Sequence, residues 1–392
     1  MSAPRPIYLD HHATTPVDAR VLEAMLPFFA EAFGNASSRQ HRYGWQAEEA
    51  VEQARQQIAG LVGARAREIV FTSGATEANN LAIRGAMSAR RSRGSHIVTV
   101  ATEHHAVLDT CHALAEAGCE VTVLPVDRDG LVDPDRFAAA LTDRTVLASV
   151  MAANNEIGVL QPLEPLARAC RARGVWLHTD AVQAAGHVPF DVEALGVDLA
   201  SFTAHKMYGP KGIGALYVRR APKVELDAIL TGGGQERGLR PGTLNVPGIV
   251  GFGAAAAVCR ETLAVEGSRL SGLRDRLLAA LEAELEAVRV NGSMASRLPH
   301  NLHVSFAGVD SDALMAALAD DIAVSAGSAC ASGSREPSHV VKALGLGTAE
   351  TWGAVRFGLG RSTSAADVDA AASVMVGAVR RLRAASPVEV RA

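Results

Sequence analysis

The most informative stretch of the chain is residues 201–212, with the sequence Ser-Phe-Thr-Ala-His-Lys-Met-Tyr-Gly-Pro-Lys-Gly. Mostly apolar runs lie on either side of it, at residues 197–200 and 215–218. Short apolar runs bounded by turn residues are typical of buried strands. We therefore expect two strands joined by a polar, glycine-rich turn, which holds Lys206 at the edge of a sheet.

Three polar residues near the start of this turn suit an aldehyde cofactor that carries a phosphate. Lys206 can form a Schiff base only when its amine is neutral, whereas a free lysine titrates near pH ~10.4. We therefore expect burial or nearby positive charge to lower that pKa. Thr203 and His205 can donate hydrogen bonds to phosphate oxygens. The alternative is a solvated lysine in a loop.

Composition narrows the class of protein. The 392 residues are 48% hydrophobic and 20% charged, which supports a large domain plus a smaller one. The formal net charge is -4 without a basic stripe, so we expect no direct binding of nucleic acid. Residues 1–6 lack an apolar signal core, and no apolar run looks long enough to span a bilayer. We therefore expect a cytoplasmic protein with no membrane partner.

Apolar runs alternate with helical patterns through the first part of the chain. Five apolar runs predict strands, at residues 69–71, 96–101, 121–125, 146–151 and 175–178. All five precede the two predicted strands that flank residues 201–212. Such alternation predicts an α/β fold with a mainly parallel, seven-stranded sheet that is covered on both faces. Ligands of these sheets gather at the carboxyl ends of the strands.

The pattern changes after residue 218, and a smaller α+β domain is predicted there. It combines a long helix near residues 249–288, strands at 301–306 and 355–359, and a final helix at 365–385. We expect three parts: an N-terminal arm at residues 1–15 that joins the small domain, a large domain at 16–250, and the small domain at 251–392.

Polar residues follow several predicted strands. Residues 73–76 lie between a strand and a helix, where free N–H groups and the helix dipole attract an anion, and Thr76 adds a hydroxyl. Asp180 ends another strand and can pair with a protonated ring nitrogen, and Gln183 can reach the same ligand. His104 can stack on an aromatic ring. Ordinary roles as helix caps or exposed turn residues are the alternatives.

Two further residues stand out after the large domain. Cys330 lies among serines, alanines and glycines, a composition that favours an accessible thiol over a buried structural one. Arg356 can bind a carboxylate with two parallel hydrogen bonds, or it can form an ordinary salt bridge. The five cysteines are odd in number and lack Cys-x-x-Cys spacing, which argues against disulfides or a cysteine-rich zinc site. His11 and His12 are adjacent, so their side chains diverge and a structural role is favoured over metal binding.

Longer motifs run through nearly the whole chain in a set order. They are Tyr-Leu-Asp…Ala-Thr-Thr-Pro from Tyr8, Thr-Ser-Gly-Ala-Thr-Glu-Ala-Asn-Asn at 72–80, Glu-His-His-Ala-Val-Leu at 103–108, Asn-Asn-Glu-Ile-Gly at 154–158, His-Thr-Asp-Ala-Val-Gln at 178–183, His-Lys-Met-Tyr-Gly-Pro-Lys-Gly at 205–212, Arg-Pro-Gly-Thr-Leu-Asn at 240–245 and Gly-Ser-Ala-Cys at 327–330. With these motifs the sequence resembles the cysteine desulfurases of the class V aminotransferase family, of the bacterial housekeeping and nitrogen-fixation type.

The resemblance implies the fold-type-I architecture of pyridoxal 5'-phosphate enzymes and a set of cofactor contacts. Lys206 holds the cofactor as a Schiff base and then moves the Cα proton, while His104 stacks on the ring. The remaining implied contacts are Asp180 to the pyridine nitrogen, Gln183 and Asn155 to the ring-oxygen side, and Ala75, Thr76, Thr203 and His205 to the phosphate. Thr243 reaches the phosphate of a partner subunit, which implies a homodimer.

The resemblance also implies a substrate and a sulfur carrier. Arg356 and Asn155 hold the carboxylate of L-cysteine, and Cys330, on a loop at 325–336, attacks the substrate sulfur to give a persulfide and alanine. The sulfur then passes to an iron–sulfur scaffold or a thiolation protein. No resident metal is expected, although an iron–sulfur cluster can contact Cys330 in passing.

Three alternatives stay open at this point. A selenocysteine lyase or a related class V transaminase shares most of these motifs, and a transaminase would not need Cys330. A non-catalytic scaffold would not need Lys206 and Asp180. The sequence departs from the common family pattern at His11-His12, at Thr203 in place of a frequent serine, and at Pro241 near the expected dimer contact.

Overall fold

The computed structural model describes residues 5–327, 338–347 and 353–385. Its strands are β1 Ile7–Tyr8, β2 Ile69–Thr72, β3 His96–Val100, β4 Glu120–Leu124, β5 Thr145–Ser149, β6 Trp176–Asp180, β7 Leu199–Thr203, β8 Gly214–Val218, β9 Val288–Val290, β10 Asn301–Phe306, β11 Ile322–Ala323 and β12 Ala354–Gly358. Its α-helices are α1 Ala19–Met25, α2 Pro27–Ala30, α3 Arg42–Leu61, α4 Ala75–Ala89, α5 His105–Glu116, α6 Pro134–Ala140, α7 Leu163–Ala172, α8 Val192–Leu195, α9 Val246–Glu284, α10 Ser311–Leu318, α11 His339–Ala343 and α12 Ala365–Ala385.

The two strands that flank the Lys206 turn belong to a seven-stranded sheet. The strand order is β2-β8-β7-β6-β5-β3-β4. All pairs are parallel except those of β8, which runs antiparallel to both β2 and β7. This confirms the mainly parallel α/β sheet. The carboxyl ends of β2, β3, β5, β6 and β7 therefore meet at one edge, which is where the polar turns were expected.

Alternating side chains bury the sheet on both faces. In β2, Ile69 and Phe71 join the core formed with α3, α7 and the first half of α9, whereas Val70 joins the core formed with α4 and α5. Adjacent residues of a strand point to opposite faces, so a strand covered on both sides must be apolar almost throughout. These cores make the sheet a rigid support for the turns at its edge.

A separate apolar core lies beyond the large sheet. The antiparallel sheet β12-β10-β9 packs there with α10, α12 and the second half of α9. Leu9 also joins this core, because β1 pairs in parallel with β11. The segment at residues 7–9 thus packs with the C-terminal part of the chain. The expected domain boundaries near residues 15 and 250 stay a prediction.

Helix α9 connects the two cores. Its 39 residues span roughly 58 Å at 1.5 Å per residue. Ile249 and Phe252 lie in the core of the large sheet, and Leu277 and Leu281 lie in the second core. By length and composition alone this helix could cross a membrane, with a mean hydropathy of 1.4 over its most apolar window, half of which is buried inside the protein. A core helix of a globular protein meets the same criterion, and α9 contributes side chains to both apolar cores.

Local boundaries differ from the sequence prediction in two places that matter. The helical spacing of apolar residues over 17–29 predicts one helix, but the structure has two, α1 and α2, because Pro27 lacks an N–H and begins a new helix. The strand expected over residues 175–178 continues as β6 to Asp180. Asp180 is therefore a strand residue whose position is held by the sheet.

Candidate active site

A cavity of about 510 Å³ opens at the carboxyl edge of the sheet. Ten of the predicted site residues line it: Ala75, Thr76, His104, Asn155, Asp180, Gln183, Thr203, His205, Lys206 and Arg356. They come from the ends of five parallel strands and from β12 of the C-terminal sheet. The fold thus brings together residues that are up to 281 positions apart in sequence, the separation from Ala75 to Arg356.

Lys206 ends a short 3₁₀ turn, Ala204–Lys206, that directly follows β7. Its ammonium donates a hydrogen bond to the Ala13 carbonyl at 2.7 Å and another to the carbonyl of His12. The carbonyl of Lys206 itself accepts a 2.8 Å hydrogen bond from His187 Nε2. The backbone of Lys206 is therefore fixed from one side, and its amine lies against the N-terminal segment that closes the cavity.

Asp180 offers a buried negative charge next to that lysine. The residue is 5% exposed. Its Oδ2 accepts a 2.7 Å hydrogen bond from the side-chain amide of Asn79, and its Oδ1 accepts a 3.0 Å bond from the backbone of Val182. Both donors are neutral, so they orient the carboxylate without cancelling its charge. The carboxylate suits a protonated ring nitrogen in the cavity.

The N-terminus of α4 forms the opposite end of the cavity. Gly74 is the N-cap and supplies no side chain to satisfy the first N–H groups of this 15-residue helix. A Cβ at Gly214, the first residue of β8, would lie 2.6 Å from the backbone of Gly74, so only glycine permits this close approach. Free N–H groups at a helix N-terminus, with Thr76 beside them, make a cradle that fits a phosphate.

Two further residues that were predicted to bind the phosphate, Thr203 and His205, already form hydrogen bonds within the protein. Thr203 Oγ1 donates to the Ile213 carbonyl at 3.2 Å. His205 Nδ1 lies 3.2 Å from Thr14 Oγ1. Burial, followed by the positive charges of Lys206 and Lys211, lowers the pKa of His205 to about 4. His205 is therefore neutral near pH 7 and has one N–H to donate.

His104 is the N-cap of α5 and has a defined protonation state. Its Nδ1 accepts a 3.0 Å hydrogen bond from the backbone N–H of Ala106. Burial lowers the pKa of His104, which Asp180 partly offsets and Lys206 reinforces. The ring is neutral, with its hydrogen on Nε2. A neutral ring held by its backbone contact is a flat surface on which an aromatic ring can stack.

Arg356 lies in the middle of β12 and is 1% exposed. Its guanidinium donates to Asp10 Oδ1 at 2.7 Å, to the Asn155 carbonyl at 2.9 Å and to Ser325 Oγ at 3.2 Å. Its Nε is buried and has no partner among the described residues. Arg356 therefore forms the salt bridge that was the alternative to a ligand contact, and its Nε–H still remains for a ligand.

Of the two remaining predicted site residues, Thr243 does not line the cavity and Cys330 is not among the residues that the structure describes. Thr243 is exposed and lies away from the cavity, in the segment before α9. Cys330 lies outside the described residues. The described residues on either side of it, Gly327 and Ser338, both lie against Glu156, whose Oε2 accepts a hydrogen bond from Ser338 Oγ. The two described residues that border the Cys330 segment thus lie beside Glu156, the residue that follows Asn155.

Sequence reasoning missed two residues of the site. Asn79 orients Asp180, and its position four residues after Ala75 and three after Thr76 places it on the same helix face, which is a signal that could have found it. His12 lines the cavity and bonds to Gln183, whereas we had expected only a structural role. Within residues 5–327, 338–347 and 353–385, no group of three or more His, Cys, Asp or Glu side chains is placed to hold a metal ion.

Comparison with known proteins gives the family. The profile of the aminotransferase class-V family matches residues 7–371. A protein from Anaeromyxobacter sp. (strain Fw109-5), named cysteine desulfurase IscS, is 58% identical over 97% of this chain and 94% of its own length. The relative of that name from Haemophilus influenzae (strain PittGG) is 54% identical over 97% of this chain and 95% of its own length.

Solved structures of similar proteins support the same family. A structure described as a NifS-like protein has a TM-score of 0.88 and 36% identity, over 97% of this chain and 99% of the other. A structure described as SspA in complex with cysteine has a TM-score of 0.80 and 37% identity, over 90% of this chain and 98% of the other. The chain belongs to the aminotransferase class-V family, as one of its cysteine desulfurases.

Proposed function

We propose that this chain uses pyridoxal 5'-phosphate, the cofactor of its family, to remove the sulfur atom from L-cysteine. The products are L-alanine and a persulfide on Cys330. One observation carries the proposal: Lys206 and Asp180, at the ends of neighbouring strands β7 and β6, line the same cavity as the uncapped N-terminus of α4. An amine, a buried carboxylate and an anion cradle are the three groups that this cofactor requires.

The cavity fits the cofactor by the chemistry of its donors. The N–H groups at Ala75 and Thr76, with Thr203 and His205, would hold the phosphate. Asp180 would pair with the ring nitrogen, His104 would stack on the ring, and Gln183 and Asn155 would face the ring oxygen. Bound there, the protonated ring withdraws electrons from the substrate and makes its Cα–H bond acidic. Lys206 is expected to hold the aldehyde carbon.

Lys206 has a second role as the group that moves protons. Its amine lies at the cavity wall and donates to carbonyl oxygens, of which Ala13 O is 2.7 Å away. These hydrogen bonds hold the amine beside the N-terminal segment that lines the cavity. From there it would take the Cα proton of the bound substrate and return a proton to the product.

Substrate recognition falls to Arg356 with Asn155. The buried Nε of Arg356 has no partner among the described residues, and Asn155 lines the cavity beside it. A substrate carboxylate that accepts from Nε would satisfy this donor. Asp10 keeps the guanidinium in place through its 2.7 Å ion pair. Buried charge pairs of this kind orient a group at the cost of desolvation.

Cys330 is the proposed sulfur acceptor. Its thiolate forms an S–S bond with the substrate sulfur while the Cβ–S bond breaks. The electron pair of that bond stays on the carbon skeleton, which leaves as alanine after taking up protons. The neighbouring segment ends, Gly327 and Ser338, both meet Glu156 beside Asn155. This anchoring supports a thiol that enters the cavity from the side of the substrate carboxylate.

The physiological setting is part of the same proposal. The protein acts in the cytoplasm as a homodimer in which Thr243 reaches the cofactor phosphate of the partner subunit. The position of Thr243, exposed and outside its own cavity, supports this arrangement. The persulfide passes to an iron–sulfur scaffold or a thiolation protein. No nucleic acid or membrane contact is needed for the reaction.

The decisive experiment follows both products from L-cysteine. The purified protein with pyridoxal 5'-phosphate should release alanine and, with a thiol reductant, equal amounts of sulfide. Cys330→Ala should abolish sulfide release while the cofactor absorbance band stays in place. Full turnover of cysteine by that variant would contradict the proposal, and turnover of selenocysteine but not cysteine would identify a selenocysteine lyase. Amino transfer to a keto acid without sulfide would identify a transaminase.

A further inference from the structure

His12 has no counterpart in the roles implied by the family, yet it is built into the cavity wall. The residue is 1% exposed, and its ring stacks on that of His300 with centroids 4.4 Å apart. Its Nδ1 lies 2.9 Å from Gln183 Oε1, and its Nε2 lies 3.1 Å from Asn301 Nδ2. One face and both nitrogens of the ring are therefore in contact, so the ring has a single orientation.

The hydrogen bonds around Asn301 can run in only one direction. Arg297 can only donate, so the atom 2.8 Å from its Nη1 must be the oxygen of the Asn301 amide. The backbone carbonyl of Glu156 can only accept, so the atom that bonds to it at 2.9 Å must be the Asn301 nitrogen. The other hydrogen on that nitrogen is donated to His12 Nε2. His12 Nε2 is therefore an acceptor and carries no hydrogen.

Arg297 can determine the direction of the hydrogen bonds at Asn301 because its own position is fixed. Its Nε donates to the Ser293 carbonyl at 3.0 Å, and its Nη2 donates to the Gly292 carbonyl at 2.9 Å. These bonds hold the guanidinium against the backbone of one loop. The side chain is buried, so water does not compete for the donor that faces Asn301.

The donor–acceptor assignment at Asn301 also determines which atoms donate between His12 and Gln183. A neutral imidazole has one donor and one acceptor, so the hydrogen of His12 is on Nδ1. Burial lowers the pKa of His12 well below its ordinary value, and Arg356 acts in the same direction, so the ring is neutral near pH 7. Nδ1 donates to Gln183 Oε1, and Gln183 Nε2 donates to the His12 carbonyl at 3.1 Å. One N–H of the Gln183 amide is then left for a ligand.

We propose that Arg297, Asn301, His12 and Gln183 form a hydrogen-bond relay that makes Gln183 a donor toward the ring oxygen of the bound cofactor. His12 is thus a positioning residue for cofactor binding. This inference rests on the proposed function, because only a bound ring with an oxygen on that side needs the donor. Without the His12 ring, Gln183 Oε1 loses its donor and the amide is oriented only by the bond from its Nε2 to the His12 carbonyl, so its N–H is held less firmly toward the ligand.

The relay can be tested first without cofactor. In the apoprotein labelled with ¹⁵N at histidine, the relay requires a protonated Nδ1 and a bare Nε2 for His12 at neutral pH. The His12→Asn spectrum assigns the signals by their disappearance. A bare Nδ1 with a protonated Nε2, or two protonated nitrogens, would overturn the relay. This result is independent of whether the protein is a desulfurase.

A pair of variants then separates hydrogen bonding from packing. His12→Asn keeps an N–H donor where Nδ1 stood but fills less space, whereas His12→Leu fills more space and has no donor. The relay predicts that the Asn variant binds pyridoxal 5'-phosphate within about threefold of wild type, and that the Leu variant binds roughly three- to tenfold more weakly. Affinity is measured by absorbance titration of the apoproteins.

The opposite order, with Leu tighter than Asn, would mean that His12 acts through packing and would reject the relay. Melting temperatures of the two apoproteins show whether a loss of affinity follows a loss of folding. A wild-type apoprotein that binds no pyridoxal 5'-phosphate would instead refute the proposed function. In that case the histidine spectrum alone decides whether the relay exists.

Discussion

Asn79 donates a 2.7 Å hydrogen bond from its side-chain amide to Oδ2 of Asp180, although helix α4 and strand β6 are far apart in sequence. Asn79 is completely buried, and its own Oδ1 has no partner among the described residues. The bond links the helix that forms the phosphate cradle to the strand that carries the carboxylate. The two ends of the proposed cofactor site are thus held at a constant separation.

Asn79→Ala should therefore destabilise the apoprotein. The substitution leaves a buried carboxylate with one donor fewer, and hydrogen bonds to charged groups contribute about 1.5–3 kcal/mol. Urea unfolding measures the loss. Asn80→Ala is the matched control, because the partners of the Asn80 side chain among the described residues, Thr76 and Arg84, lie on its own helix; this variant should lose less than about 1 kcal/mol. Equal losses of unfolding free energy in the two variants would show that the bond to Asp180 stabilises the protein no more than a bond within the helix does.

Lys206 should be the residue that binds the cofactor covalently. Borohydride reduction followed by peptide mapping should place the pyridoxyl label on Lys206, and Lys206→Ala should lose the label and reduce turnover by at least about 10²–10⁴-fold. Lys211→Ala is the control, since Lys211 lines the same cavity without following β7 directly. A label on Lys211, or on any other residue, would remove the basis of the proposed mechanism.

Arg356→Lys should weaken substrate binding more than it slows the chemical step. Lysine keeps the positive charge next to Asp10 but has no planar pair of donors for a carboxylate. We expect KM for L-cysteine to rise about tenfold or more, with a smaller change in kcat. Arg361→Lys provides the comparison, because Arg361 is a partly buried arginine that pairs with Asp18 and Glu266 outside the cavity. A similar rise in KM for both variants would indicate a general structural effect.

The stability of the protein should fall as the pH is lowered below about 6.5. Burial lowers the pKa of His178 to about 3 and that of His187 to about 4. In the unfolded chain these rings take up protons near pH ~6.5, so the unfolded state binds more protons over this range and is stabilised relative to the folded state. Each such ring contributes about 1.4 kcal/mol per pH unit between its two pKa values.

His178→Gln isolates one of these contributions. The slope of unfolding free energy against pH, measured between about pH 6 and 4, should decrease by about 1.4 kcal/mol per unit relative to wild type. Glu103, whose pKa is raised by burial, has the opposite sign but is present in both proteins and cancels in the difference. His112→Gln, on an exposed helix face, controls for the loss of an imidazole. Parallel slopes for wild type and His178→Gln would contradict the depressed pKa.

The sequence was most informative where chemistry depends on neighbours in the chain. The turn after β7 requires Thr203, His205 and Lys206 within four residues, and the cradle at residues 73–76 is formed by one strand–helix connection. Local patterns of this kind are visible in a single stretch. The alternation of strands and helices then predicted that these turns share one edge, because parallel strands end on the same side.

The sequence could not show which residues support those groups from a distance. Asn79 reaches Asp180 across 101 positions, and His12 reaches Gln183 across 171 positions and Asn301 across 289. No spacing rule connects such pairs, because their contact depends on how the whole sheet and the C-terminal core pack together. For the same reason the sequence left two roles open for Arg356, which could bind the substrate or form a salt bridge. The structure places it next to both Asp10 and the cavity.

The α/β architecture, the family, and the lysine and carboxylate that line the cavity could thus be predicted from the sequence. Each of these follows from short-range order: apolar periodicity, turn chemistry and contiguous motifs. Only the tertiary structure decided the direction of the hydrogen bonds that hold the site, since donors and acceptors are assigned by partners from remote segments. Hydrogen bonds are directional and short in range, so their pattern appears only after the chain has folded.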